Sequence, residues 1–277
     1  MATLHSTYRL VADEVPSSYK IVGVQFIRQQ KMWCGVASLT MVLNYWGDQV
    51  TQDTVGLAIN PQHVTIPGSR LVEYAKGRGF DVVTYSRLSS IDELKKWISK
   101  DYPVIVFQYV GLPGYGTEGH FRVVIGYDDS NSTVYIIDPA FEYIQFSYEK
   151  FIEIWRTKYS WGEWKGDGWA MIAIPTMAFG IEVSPSTIEI EQGSSASFNV
   201  SISLVSGLPA RVELILTGLP VNATYEFKPS YGRGTFTSNL TVTTTSKTPI
   251  GTYALTIKGI CGTKSATTSV ELTVKQR

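Results

Sequence analysis

The sequence predicts two folds in series, an α+β domain over residues 1–176 and an all-β sandwich over 177–277. Helix-like and strand-like segments alternate along the first part, which has ordinary domain length. Near Pro175–Gly180 the composition shifts. Ser, Thr and Val dominate beyond that point, histidine disappears, and alternating apolar and polar segments follow one another with turn residues between them.

Taken in order, the first helix begins at Cys34, because Val36, Leu39, Val42, Leu43 and Trp46 recur at helical spacing and Gly47 stops the run. Asp53–Ile59 and Gly68–Arg78 read as two further helices, the second ending near Gly79 before a strand at Phe80–Tyr85. Ile91–Lys100 reads as a helix with Asp92 and Glu93 near its start and lysines later, charges that suit the helix dipole. The continuous apolar run Tyr102–Tyr109 reads as a central strand, leading into a Gly-rich loop, Gly111–Gly119, that either flanks a cleft or simply connects. Two strands, Gly119–Tyr127 and Thr133–Asp138, then enclose a polar turn. The aromatic group Tyr143, Phe146, Tyr148, Phe151, Trp155, Tyr159, Trp161, Trp164 and Trp169 is assigned mainly to core packing. In the second part, Ile181–Val183, Ser197–Leu204, Arg211–Leu216, Ala223–Phe227, Thr235–Thr243, Tyr253–Lys258 and Ser269–Val274 are the expected strands of an antiparallel, immunoglobulin-like sandwich.

Chemistry concentrates in two places. Cys34 lies in the first turn of its helix, where unpaired amides and the positive end of the dipole stabilise a thiolate. Just upstream, Gln29 and Gln30 each offer a side-chain amide for an oxyanion hole, and Gly35 leaves room for a backbone to approach. Taken alone, Cys34 is equally well read as a small buried apolar residue. The second place is the hairpin. Folded about Asp129–Ser130, it faces residues whose numbers sum to 258 or 259, which sets His120 opposite Asp138 or its neighbour at roughly 5 Å between Cβ atoms. An Asp there can fix the imidazole tautomer so that the other ring nitrogen faces a thiol. A lone His on a strand is otherwise an ordinary polar pair at the end of a hairpin.

The string Cys34-Gly35-Val36-Ala37-Ser38-Leu39-Thr40-Met41-Val42-Leu43-Asn44-Tyr45-Trp46-Gly47, followed by Gly119-His120-Phe121, Gly126-Tyr127 and Asp138-Pro139, resembles the C39-like group of papain-like cysteine peptidases. The resemblance covers roughly Gln25 to Pro175 and implies an α+β papain-like fold without a cofactor. It implies that Cys34 attacks a peptide carbonyl, His120 carries the proton, Asp138 orients His120, and Gln29 or Gln30 with the Cys34 backbone amide holds the oxyanion. One departure stands out: six residues before the cysteine, where the family often has the oxyanion Gln, this chain has Arg28. A peptide or protein is the implied substrate, but the resemblance supplies no cleavage site. Two alternatives use the same residues differently: a transpeptidase or amide acyltransferase that passes the acyl group to an amine, and a surface protein that binds peptides without cutting. The second part resembles accessory sandwich domains of secreted microbial surface proteins and is assigned a spacing, docking or recruiting role.

With 24 basic and 24 acidic residues the chain is formally neutral, which argues against nucleic acid as the main partner. No apolar run is long enough to span a bilayer. Asn131, Asn199, Asn222 and Asn239 each open an N-x-Ser/Thr sequon, which the Ser/Thr-rich composition also generates by chance. Met1–His5 lacks the charged and apolar regions of a signal peptide, and the expectation is an extracellular or cell-surface glycoprotein, trimmed on export and surface-associated through the sandwich. There are two cysteines, Cys34 and Cys261; the thiol chemistry requires Cys34 to be free, and Cys261 reads as a small buried or turn residue. His5 and His63 belong to no recognisable motif, and no metal-ligand set can be assembled.

Overall fold

The computed structural model describes residues 15–87, 90–112, 116–156, 160–161, 164–165 and 167–277, so His5 and Tyr159 lie outside the described residues. The chain divides into two compact units, one up to Ile174 and one from Pro175.

The first unit runs β1 (Ser18–Lys20), α1 (Cys34–Tyr45), α2 (Gln52–Ile59), α3 (Gly68–Gly77), β2 (Phe80–Tyr85), α4 (Ile91–Ile98), β3 (Val104–Leu112), β4 (Gly116–Asp128), β5 (Thr133–Asp138), β6 (Glu142–Ser147), α5 (Tyr148–Arg156), β7 (Ser160–Trp161), β8 (Trp164–Lys165) and β9 (Ala170–Pro175). One sheet carries the order β2-β9-β3-β4-β5-β6, with β1 pairing β4, and β7 and β8 form a small ribbon. Thr51 and Ser90 cap α2 and α4 by accepting the backbone N–H three residues on, which is why those helices start where they do. α1 is apolar almost all round and buried from Gly35 to Leu43, the signature of a helix enclosed by its domain.

Two expectations need correcting. The segment Gly111–Gly119 is mostly not a loop: β3 and β4 continue as a paired ribbon to Leu112↔Gly116, and only 113–115 lie outside the described residues. Alternation along a paired ribbon needs side chains, and Gly-rich sequence hides it. Gly35 makes room for a side chain and not a backbone, since an added Cβ would stand 3.0 Å from the Phe121 ring.

Glycine is also demanded at 119, where an ideal Cβ would fall 1.6 Å from the ring of Phe107 on the neighbouring strand. Gly119→Ala must displace that buried ring or the strand carrying His120. The expected cost is about 1–3 kcal/mol of unfolding free energy, read from the urea midpoint; an unchanged midpoint would contradict this packing.

The aromatic group is divided between core and surface. Phe151, Trp155 and Trp169 are buried, whereas Tyr143 is 59% exposed.

The second unit is all-β: β10 (Met177–Ser184), β11 (Thr187–Glu191), β12 (Ser195–Gly207), β13 (Arg211–Thr217), β14 (Thr224–Lys228), β15 (Tyr231–Arg233), β16 (Phe236–Thr243), β17 (Gly251–Cys261) and β18 (Lys264–Lys275). They form a four-stranded sheet, β10-β12-β16-β14, and a five-stranded sheet, β11-β18-β17-β13-β15. Alternate residues such as Phe198, Val200, Leu240, Val242, Leu255, Ile257 and Leu272 build one core, as period-two patterning requires. The sheets are not wholly antiparallel, because β11 runs parallel to β18. β11 and β15, at the two edges of their sheet, have no counterpart among the seven strands expected from sequence. All four sequon asparagines are exposed. Cys261 is buried at the end of β17, and neither cysteine is in a disulfide.

Candidate active site

Cys34 is the first residue of α1 and is half-buried, preceded by Trp33, which makes no side-chain cap. The first-turn N–H groups therefore have no intrahelical partners and aim their positive end at the thiol. The approach to the helix is held from the side by residues 60–64. The Trp33 indole donates to Asn60 O at 2.9 Å, and Asn60 Nδ2 donates to Met32 O at 3.2 Å and Val64 O at 2.8 Å. His63 stacks on Trp33, with ring centroids 4.3 Å apart, and its Nδ1 lies 3.0 Å from Lys31 O. His63, which has no motif in the sequence, thus belongs to the clamp that fixes the residues before Cys34.

The other half of the site comes from β3, β4 and β5. His120 Nε2 lies 2.9 Å from Asp138 Oδ1, which also accepts the Ala140 N–H at 2.8 Å. Asp138 Oδ2 accepts Arg122 Nε–H at 2.6 Å, and Arg122 Nη1 donates to Gln108 Oε1 at 2.9 Å. Asp138 and Gln108 are fully buried and Arg122 is 3% exposed. His120 and Arg122, two apart on β4, share one side of the strand, and Gln108 pairs with His120 across β3.

The hairpin register differs from the sequence expectation. The observed pairs are Asp128↔Thr133 and Val123↔Ile137, with an irregularity between Val124 and Gly126. Four residues, 129–132, make the turn, where Asp128 Oδ1 accepts the Ser130 N–H at 2.9 Å and Ser132 takes a left-handed φ of 52°. Continuing that register sets Asp138 opposite Arg122, and His120 reaches it diagonally, within the range of a long side chain. Asp128 and Asp129 serve elsewhere: the first caps the turn, and the second takes Lys95 and Tyr148.

With Nε2 turned to the carboxylate, Nδ1 is left for the thiol. Burial pushes the Cys34 thiol up, but a hydrogen bond and charge interaction with His120, together with the backbone N–H groups of Phe121 and Gly35, outweigh it and bring the thiol below its ordinary value. Burial pushes His120 down, yet Asp138 and the Cys34 thiolate raise it to about 9. Burial also works against the Asp138 carboxylate, and His120 and Arg122 reverse that, holding it well below the usual carboxylate range. Both directions act towards a thiolate facing an imidazolium. Because His120 is raised, its ion pairs add stability below its unfolded value near 6.5, and that contribution is lost as the pH rises through about 9.

The two glutamines separate. The Gln29 N–H donates to Pro139 O at 2.9 Å, tying it to the residue after Asp138, and its Oε1 is buried without a hydrogen-bond partner. Gln30 is exposed and gives its side-chain amide to Asp53. Gln30 is therefore drawn away towards α2. Arg28 donates to Ala140 O at 3.0 Å and pairs with Glu142, bracing the same two segments from the surface.

Arg122 and Gln108 are the site residues that motif reading missed. The available signal was a charged residue two positions after His120, inside an apolar strand and on the same face. Trp169 packs edge-on against Phe121, with ring centroids 5.6 Å apart. Among the described residues there is no group of three or more His, Cys, Asp or Glu that could hold a metal ion. No described helix is long and apolar enough to cross a membrane.

Comparison with known proteins adds three findings. No curated protein sequence matches the chain. Among solved structures, the chain is similar to a double glycine motif protease from an AMS/PCAT transporter in complex with the leader peptide, with 21% identity, 56% of this chain and 96% of that one covered, and a TM-score of 0.41. It is also similar to the peptidase domain of Streptococcus ComA, a bi-functional ABC transporter involved in a quorum sensing pathway, with 21% identity, 56% and 98% coverage and a TM-score of 0.39. Domains 4 and 5 of the S-layer protein SbsC are similar at 19% identity, with 51% and 64% coverage and a TM-score of 0.28. The profile of the Peptidase_C39 like family matches residues 21–162, just over half of the 277-residue chain. The chain belongs to the Peptidase_C39 like family.

Proposed function

We propose that the first unit is a cysteine peptidase that hydrolyses peptide bonds through an acyl-enzyme. The observation that carries this reading is the single chain of contacts from Cys34 through His120 to Asp138. The Cys34 thiolate attacks the scissile carbonyl carbon, and the C=O electron pair moves onto oxygen. Collapse of that intermediate expels the amine, which takes the proton from His120 Nδ1 and leaves a thioester on Cys34. His120 then takes a proton from water as the water attacks the thioester, and collapse of that second intermediate breaks the C–S bond, releasing the acid and restoring the Cys34 thiolate beside the His120 imidazolium. Asp138 keeps Nε2–H donated throughout, so Nδ1 remains the nitrogen that exchanges protons. The Cys34 N–H and the Gln29 amide receive the oxyanion.

The glutamines provide the test. Gln29→Ala is expected to lower kcat for a cleaved peptide by about 10²–10³ with little change in KM, whereas Gln30→Ala stays near wild type. Equal losses in both variants, or no hydrolysis by the wild type across a peptide library, would contradict the reading. The second unit, with no histidine, is assigned as an immunoglobulin-like spacing or docking module outside the cell, a role supported by its four-plus-five-stranded architecture and its exposed sequons.

A further inference from the structure

A buried arginine beside the carboxylate that orients an imidazole is not needed to fix a tautomer, because the carboxylate does that alone. Its presence here is also costly. Gln108 is fully buried, spends its carbonyl on Arg122, and leaves its Nε2 buried without a partner. An orphaned buried amide and a desolvated guanidinium both work against folding. The arrangement gives Asp138 a guanidinium partner, gripped by Asp138 on one side and Gln108 on the other, 5.4 Å from the Phe146 ring centroid.

We propose that Arg122, held by Gln108, is a positioning residue that serves as the permanent counter-cation of Asp138. The thiolate–imidazolium form of Cys34 and His120 is then the charge-balanced state of a closed four-group cluster. The inference rests on the reading of Cys34 and His120 as the reacting pair. Counted over the cluster, Arg122 and His120 supply two positive charges and Asp138 and Cys34 two negative ones. Without Arg122 the same state holds an excess anion in a cluster whose Asp138 end is fully buried, which disfavours the thiolate. Among the described residues, Arg28 and Glu142, which flank this cluster, pair with each other at the surface.

The test is the pH dependence of Cys34 alkylation by iodoacetamide in the full chain, with thermal unfolding followed in parallel. In Arg122→Gln the rise in rate that marks thiolate formation is expected to move up by about one pH unit, a tenfold loss of rate at the pH where the wild type is rising. In Arg122→Lys, which keeps the charge but loses the fork to Gln108, the rise should stay at the wild-type pH. A folded Arg122→Gln protein with an unmoved profile would overturn the proposal. So would a Lys variant displaced by a full unit, a result that still decides the matter if the Gln variant does not fold. A wild-type profile no different from that of a free cysteine would instead remove the underlying reading, whatever the Arg122 variants do.

Discussion

Replacing Cys34 by alanine is expected to abolish peptide hydrolysis, by on the order of 10⁴-fold or more, while leaving the fold intact. The loss is large because no other group in the site can carry the acyl chain; the second cysteine, Cys261, is buried in the core of the other unit. The fold survives because Cys34 is only half-buried at a helix start, whereas the helix is held by the buried run from Gly35 to Leu43. The variant also reports on the ion pair. Removing the thiolate takes away one of the groups that raise His120 to about 9, so an NMR titration should find the imidazole lower in Cys34→Ala. Retained hydrolysis would sink the mechanism, and an unmoved His120 titration would deny the coupling.

Asp138 is expected to show the largest combined effect on stability and rate. In Asp138→Ala the Arg122 guanidinium, almost wholly buried, loses its carboxylate, and breaking a buried ion pair from one side costs about 3–5 kcal/mol. Turnover should fall less than in Cys34→Ala, since the thiol and oxyanion donors remain. Asp138→Asn, close in shape, separates charge from packing. The folded carboxyl is depressed, so its stabilising contribution is present above its unfolded value near 4 and is lost as the pH falls below that. The gap in urea midpoint between the wild type and Asp138→Asn should therefore be wide at pH 7 and narrow on acidification below about pH 4. A gap that widens with acid would reverse the sign assigned here.

Much of this site could be read from sequence because local chemistry dictates it. A cysteine at the start of an apolar helical run must sit among unpaired amides, and strand alternation before a polar turn must bring β4 beside β5. The hairpin register could not be read the same way. It depends on a four-residue turn held by Asp128 and on an irregularity near Ile125, and each shifts the facing residues. Arg122 and Gln108 were hidden for a related reason: a buried polar network is a three-strand property, and no single stretch of chain contains it. Nor did the sequence distinguish the surroundings of Gln29 and Gln30, since adjacent residues differ only in which neighbour they meet, Pro139 for one and Asp53 for the other. In the second unit, the long alternating strands were legible; β15 is only three residues long, too short to carry a pattern, whereas β11 does alternate, with Ile188 and Ile190 packed against the core, and was passed over.

The most direct measurement is covalent labelling of Cys34 by a peptide vinyl sulfone, followed by intact mass across a pH series, with His120→Ala as the control. Fast single-site labelling that persists below the ordinary thiol range is expected in the wild type. In His120→Ala labelling should be slower by about 10²-fold or more and rise only as a free thiol ionises. Slow labelling, equal in both proteins, would contradict an activated thiol and leave a peptide-binding protein without catalysis.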